Sequence, residues 1–286
     1  MGTADRSLTA AERQQWEQDG YLLLRNLIPQ ETLAAVQKVF EEVVDDILTK
    51  LLSEGAITDT KPGAPFDRRL SEAAGPLAGK FGRSWRKKLA TRAVFDLHAS
   101  PALAQIIGEL VGGDTIGHPV FNGRPKLPAQ QLTVVPWHQD SGYFGPESNN
   151  SMILTTWLPL VPVDASNGCL QIIPGTHNLG LRPHATEARE GNFLEADITG
   201  LDESKAVTCA MQPGDALIFN NLTMHRSLES TAPTIRWSID LRFIRSGDPL
   251  GAIGWNDPAF QWVIRSQTRP ATTFDAWMAD IAHWPW

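Results

Sequence analysis

Cysteine is scarce: Cys169 and Cys209 are the two in a chain of 286 residues. That argues against a disulfide framework and a thiolate metal site. Both lie in stretches that read as strands, so they read as small buried hydrophobes in a chain suited to a reducing cytoplasm. No apolar run approaches the length of a membrane span, and residues 1–10 are polar with no signal core, so a soluble, cytoplasmic protein is expected. Arg6 stands where a myristoylation signal needs Ser or Thr. Basic blocks are absent beyond the run at 83–88, which reads as a solvated face. With a formal charge of -7, no nucleic-acid partner is expected. No repeat of solenoid or propeller period occurs. The composition, 42% hydrophobic and 20% charged, is that of an ordinary globular protein, expected as a single domain over 1–286. Oligomeric state is not encoded in any of these features.

Thr9 and Glu12 form a capping-box pair that predicts a helix ending at Gly20, followed by a strand at Tyr21-Leu22-Leu23-Leu24. After Pro29, Leu33, Val36, Val39, Phe40, Val43, Ile47 and Leu51 recur at helical spacing and predict a long amphipathic helix. Residues 57–82 are rich in Gly, Pro and Ala without a clean period and read as a loop or mobile flap. A further helix is expected from Pro101 to Leu110, closed by Gly112 and Gly113. From Thr115 the pattern turns to short β-type runs at 132–135, 152–158, 168–173, 206–211, 216–219 and 235–243, punctuated by Pro, Gly, Asn and Asp. The fold class is therefore α+β, mainly β: a sandwich or barrel at 115–245, with the helices of 1–114 covering one face and a C-terminal segment at 246–286. The long polar stretch at 181–205 reads as a substrate lid or, equally, a disordered insertion.

His138 and Asp140 stand two apart, which in extended chain puts imidazole and carboxylate on one face. An isolated pair of this kind is more often a surface ion pair. The context changes that. His225 follows Pro213-Gly214-Asp215 and a buried strand, at a strand end that points inward. Two histidines and one carboxylate describe the facial triad of non-heme iron(II) oxygenases, with positions left for a bidentate ligand and dioxygen. They also describe an open zinc site of a hydrolase, though no His-Glu-x-x-His helix accompanies them. Eleven residues past His225, Arg236 shares a strand face with Ser238, and its fork suits the distal carboxylate of a dicarboxylic acid. Tyr143 and Phe144, in a Gly-rich turn after the pair, are the first candidates for an aromatic wall against an apolar substrate. His177 reads as a hydrogen-bonded turn residue, and His98, His118, His184 and His283 as structural or surface residues.

The order His138-x-Asp140, His225, Arg236 resembles the phytanoyl-CoA dioxygenase family. Further matches are Asp19-Gly20-Tyr21, Trp157, Asn167-Gly168-Cys169-Leu170, Pro174-Gly175-Thr176-His177 and Pro213-Gly214-Asp215, so the resemblance runs from about residue 12 to 245. It implies a double-stranded β-helix, a cupin-like jelly roll with helices packed on one sheet. It also implies Fe(II), 2-oxoglutarate and O2 as cofactor and cosubstrates. By the same resemblance Arg236 anchors the 2-oxoglutarate C5 carboxylate beside Ser238 and Ser227, with Trp157 and Thr155 lining that pocket. A further contact from before the His-x-Asp strand is left open among Val120, Asn122 and Arg124. Halogenating relatives lack the carboxylate that Asp140 supplies, which points to oxygen chemistry, with desaturation, ring closure, epoxidation and endoperoxide formation left open beside hydroxylation. The implied activity is oxidation, by default hydroxylation, of a small, largely apolar metabolite. The non-enzymatic alternative is a jelly-roll module that binds metal and 2-oxoglutarate without turnover.

Overall fold

The Glu12 backbone N–H donates to the Thr9 hydroxyl while the Glu12 carboxylate accepts from the Thr9 backbone, so the capping box closes at the start of α1 (Ala10–Asp19). Gly20 ends the helix at φ 74, where any Cβ would collide with the His177 imidazole and the Thr223 hydroxyl. Left-handed backbone and close approach both require glycine there. The chain is seen here in a computed structural model that describes residues 6–81, 85–128, 133–185, 193–251 and 262–284. Next come β1 (Tyr21–Leu24) and α2 (Gln30–Ser53), whose buried face carries Leu33, Val36, Val39, Phe40, Val43, Ile47 and Leu51 as the periodicity predicts.

The expected flap at 57–82 is in part a helix. α3 (Phe66–Ala74) and the 3₁₀ turn after it occupy residues 66–81, with Leu70 and Ala74 buried. A nine-residue helix with two buried residues is too short to show a period, so its order comes from packing. α4 (Arg92–His98) and α5 (Pro101–Val111) follow, α5 ending at Gly112 with φ 69.

The remaining chain is mostly antiparallel sheet. The strands are β2 (Thr115–Gly117), β3 (Asn122–Lys126), β4 (Ile153–Pro159), β5 (Leu170–Ile172), β6 (His184–Ala185), β7 (Glu195–Ala196), β8 (Val207–Cys209), β9 (Ala216–Asn220), β10 (His225–Ser227), β11 (Arg236–Arg245) and β12 (Trp262–Arg265), followed by α6 (Phe274–Ile281). Seven strands make one sheet in the order β1-β9-β4-β11-β2-β12, with β3 paired to the first half of β11; β10-β5-β8 form a second sheet, and β6-β7 a two-stranded ribbon. No strand forms at 133–135, where the Val135 N–H donates to the Ser227 side chain instead of to a ladder, and residue 132 lies outside the described residues.

Strand alternation divides β11 between two environments. Trp237, Ile239, Leu241 and Phe243 join the large core under the helices, where Trp237 meets Phe40 edge-on at 5.8 Å and stacks on Phe66 at 5.1 Å. Arg236, Ser238, Asp240 and Arg242 occupy the opposite face, toward the small sheet. The two sheets meet through a second cluster in which Trp157, Leu217 and Phe219 pack with Leu170, Ile172, Cys169 and Cys209. Both cysteines are buried free thiols. No described helix is long and apolar enough to cross a membrane.

Candidate active site

His138 and His225 face each other across an isolated antiparallel bridge, each backbone N–H donating to the other's carbonyl at 2.9 and 3.0 Å. Gln139 is extended, so Asp140 turns back to the same side before a 3₁₀ turn begins. One ligand atom from each of His138, Asp140 and His225 falls within 4.8 Å of the others, and all three residues are buried. Each imidazole Nε2 stands 3.9 Å from the Asp140 carboxylate. The Nδ1 positions are already engaged, His138 with the Pro136 carbonyl and His225 with the Thr223 carbonyl, both at 2.9 Å. That arrangement makes Nδ1 the protonated nitrogen and leaves both Nε2 lone pairs for a metal. Burial, with His225 alongside, pushes His138 down to about 3, and burial lowers His225 as well, so both rings are neutral. Burial alone would raise Asp140, but Arg242 and the two histidines outweigh it and hold the carboxylate ionised. Two neutral imidazoles and a carboxylate, clustered and desolvated, fit a divalent transition metal such as iron(II).

The carboxylate is held from behind. Asp140 Oδ2 accepts from the Thr155 hydroxyl at 2.5 Å and from Arg242 Nη2 at 3.2 Å. Arg242 Nη1 donates to Asp240 at 2.7 Å, and Asp240 also accepts from Arg124 and, at 3.0 Å, from Asn122. The sequence reading missed Arg242 and Asp240 as site residues. The signal was available: stepping by two from Arg236 gives Ser238, Asp240 and Arg242, a polar file in a strand whose other face is apolar from Trp237 to Phe243.

A cavity of about 380 Å³ opens beside the triad. Arg236, Ser227, Trp157, Leu170 and Val135 line it, together with Tyr143, Phe144, Phe193, Val120, Asn122, Arg124 and Arg86. Arg236 is buried, and its Nη1 donates to Ser238 Oγ at 2.6 Å. Its guanidinium carbon lies 5.2 Å from the Trp157 ring centroid, and its Nε has no hydrogen-bond partner. No carboxylate pairs with it among the described residues, which is an unusual state for a buried guanidinium. Thr155 and Trp157 line the cavity as expected. Ser238 bonds the arginine and does not line the wall. Val120, Asn122 and Arg124, the open alternatives, all reach the cavity. The run at 83–88 is not simply solvated: Arg86 is largely buried, donates to the Phe121 carbonyl and Asn122 Oδ1 at 2.9 Å, and reaches the cavity, while residues 82–84 lie outside the described residues. Tyr143 keeps one face exposed and its hydroxyl accepts from the Leu194 N–H at 2.8 Å.

The other histidines stay out of the cluster. His98 and His118 are buried core residues bonded to the Arg242 and Leu250 carbonyls. His177 packs on Gly20. His184 is not merely structural in position: its Nε2 accepts from the Gln139 N–H at 3.1 Å, between two residues of the triad. The stretch at 181–205 therefore lies against the site, with residues 186–192 outside the described residues.

The phytanoyl-CoA dioxygenase (PhyH) family matches residues 16–237. The peroxisomal phytanoyl-CoA dioxygenase of Homo sapiens is 25% identical over 244 residues, covering 82% of this chain and 68% of the human one. A 1-deoxypentalenic acid 11-beta-hydroxylase of Streptomyces exfoliatus is 31% identical over 123 residues, 40% of this chain and 42% of that one. Among solved structures, EvdO2 from Micromonospora carbonacea var. aurantiaca has a TM-score of 0.60 at 19% identity, covering 84% of this chain and 92% of its own. EctD from S. alaskensis, solved with 2-oxoglutarate and 5-hydroxyectoine, has a TM-score of 0.59 at 19% identity, covering 92% and 86%. At those identities the structural likeness is one of fold.

Proposed function

The chain belongs to the phytanoyl-CoA dioxygenase family and is an iron(II)- and 2-oxoglutarate-dependent dioxygenase, and from that premise we propose that it hydroxylates a small, largely apolar acid. The carrying observation is the pairing, in one cavity, of an open three-ligand cluster with a buried arginine that has no carboxylate partner among the described residues. In this reading His138, Asp140 and His225 hold the metal. Arg236 binds the distal carboxylate of 2-oxoglutarate, Ser227 and Trp157 complete that end, and Ser238 and Thr155 orient Arg236 and Asp140. The sheets then form the jelly roll that the family resemblance implies, and residues 1–286 act as one cytoplasmic domain without nucleic-acid or membrane partners.

When bound, iron(II) and 2-oxoglutarate supply the chemistry by which dioxygen converts a substrate C–H bond to C–OH while the oxo acid becomes succinate and carbon dioxide. The chain's own residues bind and orient. Tyr143, Phe144 and Phe193 offer apolar contact, suited to a natural-product intermediate or lipid-derived skeleton. Arg124, Arg86 and Asn122 in the same cavity favour an acid over a neutral molecule. The hydroxylase similar to part of this chain is named for an acid as well, which supports that choice.

The test is succinate release by the anaerobically iron-loaded chain over a panel of terpenoid and fatty acids. Turnover is expected to need iron(II), dioxygen and one of the acids. His138→Ala should abolish it, and activity surviving that change would sink the proposal.

A further inference from the structure

The chain holds two tyrosines, Tyr21 and Tyr143. Tyr21 is buried in the cluster between the sheets, whereas Tyr143 lines the cavity with 42% of its surface exposed. Tyr143 closes the four-residue 3₁₀ turn that Asp140 opens. Side chains three apart on such a turn eclipse, about 6 Å along its axis, so the phenol stands over the same face as the Asp140 carboxylate. Its ring is edge-on to the His138 imidazole, with centroids 5.7 Å apart at 84°. The turn that follows the His138-x-Asp140 pair thus carries an oxidisable ring back beside both of its members.

Two contacts hold the ring there. Gly142 lies flat on the His184 ring, where a Cβ would fall 2.7 Å from Cδ2 and Nε2, so the turn presses on the segment at 181–185. The Leu194 N–H donates to the Tyr143 hydroxyl at 2.8 Å. The other aromatic rings of the cavity are poorer targets. Phe219 packs on His225 at 4.5 Å, but it lacks the hydroxyl that feeds electron density into the adjoining ring carbons, as do Phe144 and Phe193. Trp157 faces the Arg236 guanidinium at 5.2 Å, and that cation draws on its π-density.

We propose that Tyr143 is a self-modification site: with 2-oxoglutarate bound and no substrate over the ring, the chain hydroxylates Tyr143 at a carbon next to the phenol oxygen. The inference rests on the dioxygenase reading of this site. One ring C–H bond breaks and a C–O bond forms to one atom of dioxygen. The other atom enters succinate as the oxo acid loses carbon dioxide. Dioxygen takes two electrons from the ring and two from 2-oxoglutarate, so no further reductant is needed, and the product is a catechol. A substrate seated against Tyr143, Phe144 and Phe193 covers the ring and takes the oxygen itself, because a filled site excludes the side reaction.

The test is peptide mass spectrometry of the full chain after incubation in air with iron(II) and 2-oxoglutarate, no substrate added, with succinate measured in parallel. A mass gain of one oxygen atom is expected on the peptide bearing Tyr143 and not on that bearing Tyr21. The gain should vanish when 2-oxoglutarate or dioxygen is withheld, and Tyr143→Phe should lose it. A gain that persists without 2-oxoglutarate, or that falls equally on Tyr21, marks adventitious oxidation and overturns the inference. Succinate released with Tyr143 unchanged, or with the oxygen on Trp157 or Phe219, overturns it too, as does a gain at position 143 undiminished in Tyr143→Phe. If no succinate forms without substrate while an acid of the panel is turned over, the inference fails and the dioxygenase reading stands. If no acid gives succinate either, that reading itself fails.

Discussion

Arg236 and Arg242 stand on one face of β11, yet their partners differ. Arg242 has two carboxylates to bond, Asp140 and Asp240, and its charge is spent on fixing a metal-ligand candidate. Arg236 has none among the described residues, so its charge is left for something that arrives. The two should fail differently. Arg236→Met is expected to weaken 2-oxoglutarate binding by roughly 2–3 kcal/mol, the scale of a charged hydrogen bond, with metal affinity unchanged. Arg242→Met should weaken metal binding by about 10- to 100-fold, as loss of a ligand's supporting partner does. Parallel titrations with manganese and with 2-oxoglutarate separate the two, and identical defects in both would count against the division. The triad and Arg236 were legible in the sequence because their spacing carries the chemistry. Lys126 was not: it lies in Asn122-Gly123-Arg124-Pro125-Lys126, too short to show a period and interrupted by proline, and it is buried where β3 pairs with β11.

At the scale of elements, what could be read were those with local signals. The capping box of α1, the long apolar stripe of α2 and the glycine stop of α5 all stand where the residues place them. β3, β10, β12 and α3 were missed because each is short and owes its order to a partner: β3 includes a proline, and β10 is three residues long. Gly20 shows both kinds of information. Its role as a helix stop is local, whereas its contact with His177 and Thr223 joins residues some 150 to 200 positions apart and could not be read from the chain. Gly20→Ala must pay for left-handed backbone and displace two side chains, so it should cost more than the roughly 1 kcal/mol of an ordinary helix-terminus change. Thr9→Ala loses only the cap and should cost about 1 kcal/mol. Urea unfolding of the two variants checks the order, and a Gly20 variant as stable as the Thr9 variant would contradict the crowding.

Across the whole molecule, the helices and the apolar face of the large sheet form one core, while the polar face of the same sheet is left with charges that no described side chain balances. Ligands that supply the balance should stabilise the fold. At a hundredfold excess over Kd a ligand adds about 2.7 kcal/mol, or roughly 5–10 °C in Tm for a chain of this size. A thermal scan with manganese and 2-oxoglutarate together should show that rise, and His138→Ala should lose the metal's share.

Gln139 lies between two of the three clustered residues. Its side chain donates to the Gly180 and Leu222 carbonyls and accepts from the Arg182 N–H, while its backbone N–H reaches His184. One residue is thus stitched to the strand of the triad and to the segment that borders the substrate end. Whatever stiffens the triad must stiffen residues 180–184, and by reciprocity a substrate that presses on that segment tightens the hold on the metal. Hydrogen exchange at the Arg182 amide should therefore slow when manganese binds, and exchange indifferent to the metal would show the two to be uncoupled. The coupling between metal affinity and substrate affinity then becomes a property of a single glutamine.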